Sequence, residues 1–348
     1  MFSLLRPYIF GLDPEVAHDF AIKSLKFNII PKALFHVDGE ELLETELFKK
    51  RLKNPIGLAA GFDKSAEVYN ALFKLGFGFV EVGTITPKRQ AGNLKPRIFR
   101  LEKDKALINR LGFNNDGSEI ISKRISKNLS RGFLGVNIGP NKETKNKEND
   151  YFVCLSKLFK HANYITINIS SPNTKDLRNF HKQEEMKKLL AGINKIKKEK
   201  KIDQPIAIKI SPDIDDSEIS RIIDLIKSFN IQGIIISNTT DNNRKNLSDI
   251  NKNEAGGLSG QPLKDISTNL IKKCYKETKG KIKIIGVGGV DSGQSAFEKI
   301  IAGADAVQLY TGMVYKGPGI VKEIKKELIS ILKKENLKNV SEAVGINA

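Results

Sequence analysis

A (β/α)8 barrel with a small N-terminal helical extension is the fold this sequence predicts. Three observations lead there. Short runs rich in Ile and Val recur from residue 54 onward, amphipathic helical stretches separate them, and nearly every run ends in polar residues. The runs are Pro55–Ala60, Gly78–Gly83, Phe133–Ile138, Tyr164–Ile169, Pro205–Ile210, Gly233–Ser237, Lys281–Val287 and Ala304–Tyr310, the eight that a closed parallel barrel requires. A doubly wound open sheet is the alternative. It would gather its ligand loops at one switch point, and no GxGxxG pattern follows the first run.

Residues 1–50 stand outside that rhythm. Asp13-Pro14-Glu15 reads as a helix start, with Asp at the cap, Pro at the first helical position and Glu at the positive end of the dipole. Val16, Ala17, Phe20 and Leu25 can share one apolar face, and Pro31 restarts a second segment through Leu34, Phe35 and Val37. This is a helical hairpin that plugs the barrel bottom or packs as a cap, or else lies on a membrane surface. Residues 1–37 hold four Lys/Arg and three Asp/Glu, a net +1, so charge does not decide between the two. The domain division expected is an extension over 1–48 and a barrel over 49–340.

The 348 residues, 40% hydrophobic, suffice for one large core. Cys154 and Cys274 lie far apart, and with only four His there is no metal-ligand spacing, so neither a disulfide framework nor a metal site is expected. The formal charge of +18 raises nucleic-acid binding. The lysines, however, are strewn along helices such as 184–201 without interleaved aromatics, so nucleic acid is not the expected partner. A basic surface also suits an anionic membrane or an acidic small substrate. No apolar run reaches the ~18 residues of a membrane span. The start, Met1 to Phe10, is interrupted by Arg6 and Pro7 and lacks the marks of a signal or transit peptide.

Chemistry concentrates at the run ends. After the first comes Ala59-Ala60-Gly61-Phe62-Asp63-Lys64, small residues against which a flat ligand can lie, then a cation. Gly83-Thr84 follows the second, and Asn137 ends the third. Ile108-Asn109-Arg110-Leu111-Gly112-Phe113-Asn114-Asn115 reads as a polar loop with an embedded apolar pair. The fourth ends in Asn168-Ile169-Ser170-Ser171-Pro172-Asn173-Thr174, two amides and three hydroxyls suited to an amide-like ligand and a moving proton. Lys209 lies inside the apolar fifth run, where a charge is costly unless it meets an anion or a polarised acceptor. Ser237-Asn238-Thr239 ends the sixth, and Gly256-Gly257-Leu258-Ser259-Gly260 forms a glycine loop. Gly288-Gly289 and Tyr310-Thr311-Gly312 after the last two runs suit a phosphorylated cofactor held by backbone N–H groups.

Taken in order, GLAAGFDK, INRLGFNN, NISSPNT, SNTT, GGLSGQPL and GVGGVDS closely resemble the motifs of class 2 dihydroorotate dehydrogenases, the quinone-dependent, FMN-containing, membrane-associated class. The match runs from Asp13-Pro14-Glu15 and His18 to Gly317-Pro318. The resemblance implies oxidation of (S)-dihydroorotate to orotate in de novo pyrimidine (UMP) synthesis, with electrons passing through one FMN to a membrane quinone. It implies Ser171 as the base for the C5 proton, aided by Thr166 or water, and FMN N5 as acceptor of the C6 hydride. Substrate positions would be Lys64, Asn109, Arg110, Leu111, Gly112, Phe113, Asn168, Asn173, Asn238 and Thr239. FMN positions would be Ala60, Gly61, Phe62, Asp63, Lys64, Thr84, Asn137, Asn168, Lys209, Ser237, Gly260, Gly289, Tyr310 and Thr311.

His18 and Arg100 match positions lining a quinone tunnel formed by the N-terminal helices. The implied setting is a monomer bound peripherally to lipid, on the cytoplasmic face of a bacterial inner membrane or at a mitochondrial inner membrane. Ser rather than Cys at 171 separates this class from the soluble class 1 enzymes and from tRNA dihydrouridine synthases. A basic barrel that has lost its activity is a further alternative, against which the unbroken series of motifs stands.

Overall fold

The computed structural model describes residues 2–27, 29, 31–174 and 176–348. Eight parallel strands close into a barrel in which each strand pairs with its neighbours in chain order: β1 (Ile56–Leu58), β2 (Phe79–Ile85), β3 (Phe133–Ile138), β4 (Tyr164–Asn168), β5 (Ile206–Ile210), β6 (Gly233–Ile236), β7 (Lys283–Val287) and β8 (Ala306–Leu309). All eight fall on the runs read from the sequence. Buried on both faces, they carry few polar residues, and Glu81, Asn137, Thr166, Asn168 and Gln308 among them join in one buried hydrogen-bonded cluster.

The outer helices bury one stripe each. Asp216–Ser228 buries Ile219, Ile222, Ile223 and Ile226, and its start is fixed by a capping box between Asp215 and Glu218. Ile320–Lys334 buries Val321, Ile324, Leu328 and Leu332 at the same helical spacing.

The arm differs from the expectation in detail. Its hairpin is α1 (Phe2–Phe10) and α2 (Pro14–Lys26), while Lys32–Phe35 is only a single 3-10 turn. Pro7 lies inside α1, where it removes one intrahelical bond near the start without ending the helix. Asp13 caps α2 as read, its carboxylate accepting from the N–H groups of Glu15 (2.9 Å) and Val16 (3.1 Å). The segment after Pro31 turns extended at His36 and left-handed at Gly39 (φ +82°), so it cannot build a longer helix.

Nor does the helical hairpin plug the barrel bottom. That end is closed by an antiparallel β-hairpin, Thr45–Leu47 with Lys50–Leu52, which the sequence reading did not see. Leu47, Phe48 and Leu52 pack against Phe79, Phe133, Tyr164 and Ala306 at the strand starts. A Cβ on Gly233 would lie 2.6 Å from the Phe48 ring, so only glycine leaves room for the plug. The helices instead sit at the opposite mouth: α2 packs on the strand Ile98–Leu101, and α1 packs on the short helix that follows β8. Arg97 joins Glu15 of α2 through two hydrogen bonds, 2.6 and 3.0 Å, with both groups buried. Ile98–Leu101 belongs to a three-stranded antiparallel sheet with Ala106–Asn109 and Gly257–Gly260. The stretch read as a polar loop from Ile108 therefore begins as strand, paired to the glycine segment.

Candidate active site

At the C-terminal mouth, strand ends and loops enclose a cavity of about 380 Å³. Ladder register sets its floor: Asn168 of β4 pairs with Lys209 of β5, which places an amide beside an ammonium. Beyond Asn168 the chain makes an Asx turn, with the Ser170 N–H (3.3 Å) and hydroxyl (3.1 Å) donating to the Asn168 side-chain oxygen Oδ1. That turn brings the nearly buried Ser171 to the cavity wall. The Ser171 hydroxyl accepts from the Asn173 N–H (3.3 Å).

A ring of neutral amides surrounds it. The Asn173 amide donates to Asn109 (3.3 Å), and Asn238 donates to Ser170 (3.0 Å) and to Asn168 (3.3 Å). Asn168 donates in turn to Thr84 (3.0 Å). Such groups offer donors and acceptors in both senses, which suits a ring with alternating N–H and C=O. Lys64 supplies the cation. Burial pushes its pKa down to about 8, which makes an anionic partner favourable there.

Ala60, Gly61, Gly260, Gly289, Tyr310 and Thr311 line the rest of the wall, with Ser237, Thr239, Leu111, Gly112 and Phe113. A Cβ on Gly260 (φ +97°) would fall 2.4 Å from the Lys105 carbonyl, so the strand can pass this closely only as glycine. Lys209 is buried, and burial lowers its pKa while Glu81 opposes that. Its ammonium finds no hydrogen-bond acceptor among the described residues. Neither does the Gly289 N–H. A buried cation and a free backbone donor lining one cavity fit a flat anionic cofactor.

Beneath the floor lies a feature not read from the sequence. Glu81 of β2 is fully buried and accepts from Asn137 (2.8 Å), Tyr164 (2.8 Å), Thr166 (3.1 Å) and Gln308 (3.1 Å). Asn137 also accepts from Thr84 (2.7 Å), so the inner layer carries the amide ring from below. Thr166, one suggested relay for Ser171, spends its hydroxyl on Glu81.

Several expected positions lie off the cavity wall. Arg110 turns away to Glu254 (2.8 Å) and the Phe99 ring. Phe62 packs edge-on against Tyr310 (5.9 Å) and His18 (5.1 Å). Asp63 accepts from the N–H groups of Glu67 (2.7 Å) and Val68 (2.8 Å) and so holds the turn behind Lys64; burial raises its pKa to about 6 against those bonds. His18 lines a second cavity of about 620 Å³ that shares Lys64 as a wall. Burial, reinforced by the Lys64 charge, pushes its pKa down to about 3, so the ring is neutral. Arg100 donates to the carbonyls of Phe10 (3.0 Å) and Leu12 (2.8 Å) and fixes the turn between α1 and α2. Arg6, Ile98, Leu107 and Tyr315 extend the main cavity outward toward α1, a wall the motifs did not reveal.

Residues 42–332 match the family model described as Dihydroorotate dehydrogenase. The chain belongs to the dihydroorotate dehydrogenase family. It is 45% identical to the dihydroorotate dehydrogenase (quinone) of Christiangramia forsetii, over 94% of this chain and 98% of that one. With the protein of the same description from Bartonella tribocorum it shares 44% identity over 97% and 94% of the two chains. The crystal structure of the Eimeria tenella DHODH in complex with ferulenol superposes with a TM-score of 0.91 at 38% identity, covering 97% of this chain and 98% of that one. The barrel, read from the eight apolar runs, and the family and its quinone-linked class, implied by the motifs, are thereby borne out. Because these relatives are matched along nearly their whole length, the similarity takes in the N-terminal arm as well as the barrel.

Proposed function

We propose that this chain oxidises dihydroorotate to orotate with FMN and delivers the electrons to a membrane quinone, a step of pyrimidine (UMP) synthesis. One observation carries the reading: Ser171, the amide ring and the Lys64 ammonium converge on one cavity whose floor is Lys209. Lys64 holds the substrate carboxylate, and Asn109, Asn168, Asn173 and Asn238 pair its ureide edge. Ser171 takes the C5 proton; its oxygen already accepts one backbone hydrogen bond, which leaves the O–H free to pass a proton on. When bound, FMN supplies at N5 the acceptor for the C6 hydride. Lys209 would hold the electron-rich part of the flavin, and Gly289 and Thr311 would hold its phosphate. The purified protein is expected to be yellow and to bleach anaerobically with dihydroorotate. A colourless protein that cannot take up FMN would refute this function.

Residues 1–48 serve in this reading as the quinone-access element and 49–340 as the catalytic barrel of a monomer in peripheral contact with lipid. The arm exposes Leu4 (76%), Tyr8 (79%), Phe20 (59%) and Phe27 (76%), which supports burial of this face in a membrane interface. No helix among the described residues is long and apolar enough to cross a bilayer.

The structure shows where to cut. Removing residues 1–40 would strand the buried Arg97 without Glu15 and the fully buried Lys325 without Glu40, a loss that destabilises the barrel itself. Deleting residues 2–11 spares both pairs. That deletion is expected to lower turnover with membrane-embedded quinone about tenfold or more, since several apolar side chains lose a few kcal/mol of lipid burial. Bleaching by dihydroorotate should be unaffected. Equal loss of both activities would exclude the assignment.

A further inference from the structure

Lys299 is fully buried, yet it lies outside the cavity and makes no ion pair. Its ammonium donates to the Ser267 hydroxyl (2.5 Å), the Thr268 hydroxyl (2.9 Å) and the Lys264 carbonyl (3.1 Å). The two carboxylates whose charge reaches it, Glu298 and Asp265, are engaged by the Lys264 ammonium at 3.2 and 3.7 Å. A buried cation without a counter-ion is expensive, and a methionine or leucine would fill the same space without that cost.

The three acceptors lie directly behind the Gly288–Gly289 loop. The Ser267 hydroxyl shares its one proton between the Lys264 carbonyl (3.1 Å) and the Gly288 carbonyl (3.3 Å), and a Cβ on Gly288 would lie 2.8 Å from that hydroxyl oxygen. The peptide from Gly288 to Gly289 is trans, so its C=O and N–H point in opposite directions. Holding the carbonyl back on Ser267 therefore turns the Gly289 N–H forward, toward the cavity that Gly289 lines. The next peptide is held in the same way, because the Gly289 carbonyl accepts from the Gln261 amide (3.2 Å).

We propose that Lys299 is a positioning residue of a phosphate-binding loop, orienting the Gly288–Gly289 peptide through Ser267 and placing a positive charge behind the N–H groups that receive the cofactor's phosphomonoester. The proposal rests on reading this cavity as an FMN site. Lys299 touches no part of the cofactor. It acts on the phosphate end alone, and it discriminates FMN from the same flavin without its phosphate. Burial pushes the Lys299 pKa down to about 7, and a dianion on the far side of the loop favours its charged form.

The test uses the full-length protein carrying Lys299→Met and, separately, Ser267→Ala. Bound flavin is exchanged against FMN or riboflavin, and affinity is read from the fluorescence of released flavin. Lys299→Met is expected to weaken FMN about tenfold, the low end of the range for a hydrogen bond to a charged group because Lys299 acts through the loop, and to leave riboflavin affinity unchanged. Ser267→Ala should shift FMN affinity in the same direction by less, and it decides the matter alone if the Lys299 variant does not fold. Equal losses of FMN and riboflavin, or FMN affinity unchanged in Ser267→Ala, would overturn the proposal. A wild-type protein that binds riboflavin as tightly as FMN, or neither, would instead overturn the cofactor reading itself, and the role of Lys299 with it.

Discussion

Replacing Ser171 with Ala is expected to slow flavin bleaching by dihydroorotate about 10²- to 10⁴-fold at neutral pH, the usual worth of a positioned general base. Orotate binding should survive, because Lys64 and the amide ring remain. That separation makes the test specific: a change that merely disturbed the cavity would weaken orotate binding and bleaching together. Anaerobic stopped-flow measures the first quantity and flavin absorbance on titration with orotate measures the second. The hydroxyl has an advantage a free serine lacks. The Asn173 N–H donates to it at 3.3 Å, and the Asx turn at Asn168 fixes the chain that carries it. An unaltered bleaching rate in the Ala variant would remove Ser171 from the mechanism.

Lys209→Ala is expected to yield protein with less bound flavin, and a dihydroorotate-driven reduction slower by about 10²- to 10³-fold, the range for losing one preorganised electrostatic donor. The midpoint potential of the remaining flavin should fall, because the ammonium favours the electron-rich form. Glu81 gives the opposite arm. Its carboxylate is the counter-charge beneath the cavity, so Glu81→Gln should raise the potential. Spectroelectrochemical titration of both variants reads the two shifts; shifts of the same sign, or none, would show that these charges do not set the potential.

The barrel was legible because strands buried on both faces leave unbroken apolar runs, and Phe133–Ile138 coincides with its strand to the residue. The plug and the top sheet were not, because three- and four-residue antiparallel strands such as Thr45–Leu47 and Ile98–Leu101 are too short for any periodicity. Pro7 hid α1, since proline inside a helix ordinarily reads as its end. Within the site, Lys209 stood out as a charge in an apolar strand. Glu81, in Phe79–Ile85, carries the same signal and was passed over, although each helps explain the other. Residues inside the motif strings were harder to sort: Arg110 and Asp63 stand beside cavity residues in the chain, yet their side chains hold loops rather than face the cavity. Lys299 gave no sequence signal, because a lysine on an amphipathic helix is normally solvated.

The plug formed by Leu47, Phe48 and Leu52 has a consequence for traffic. With the lower end sealed by apolar side chains, the barrel is a cup with one rim. In the proposed reaction the proton and the product leave by that rim, past the loops and the arm. A mutation that opened the seal, such as Phe48→Ala, would give water a second door to the Glu81 layer and short-circuit a path that the intact protein keeps one-sided.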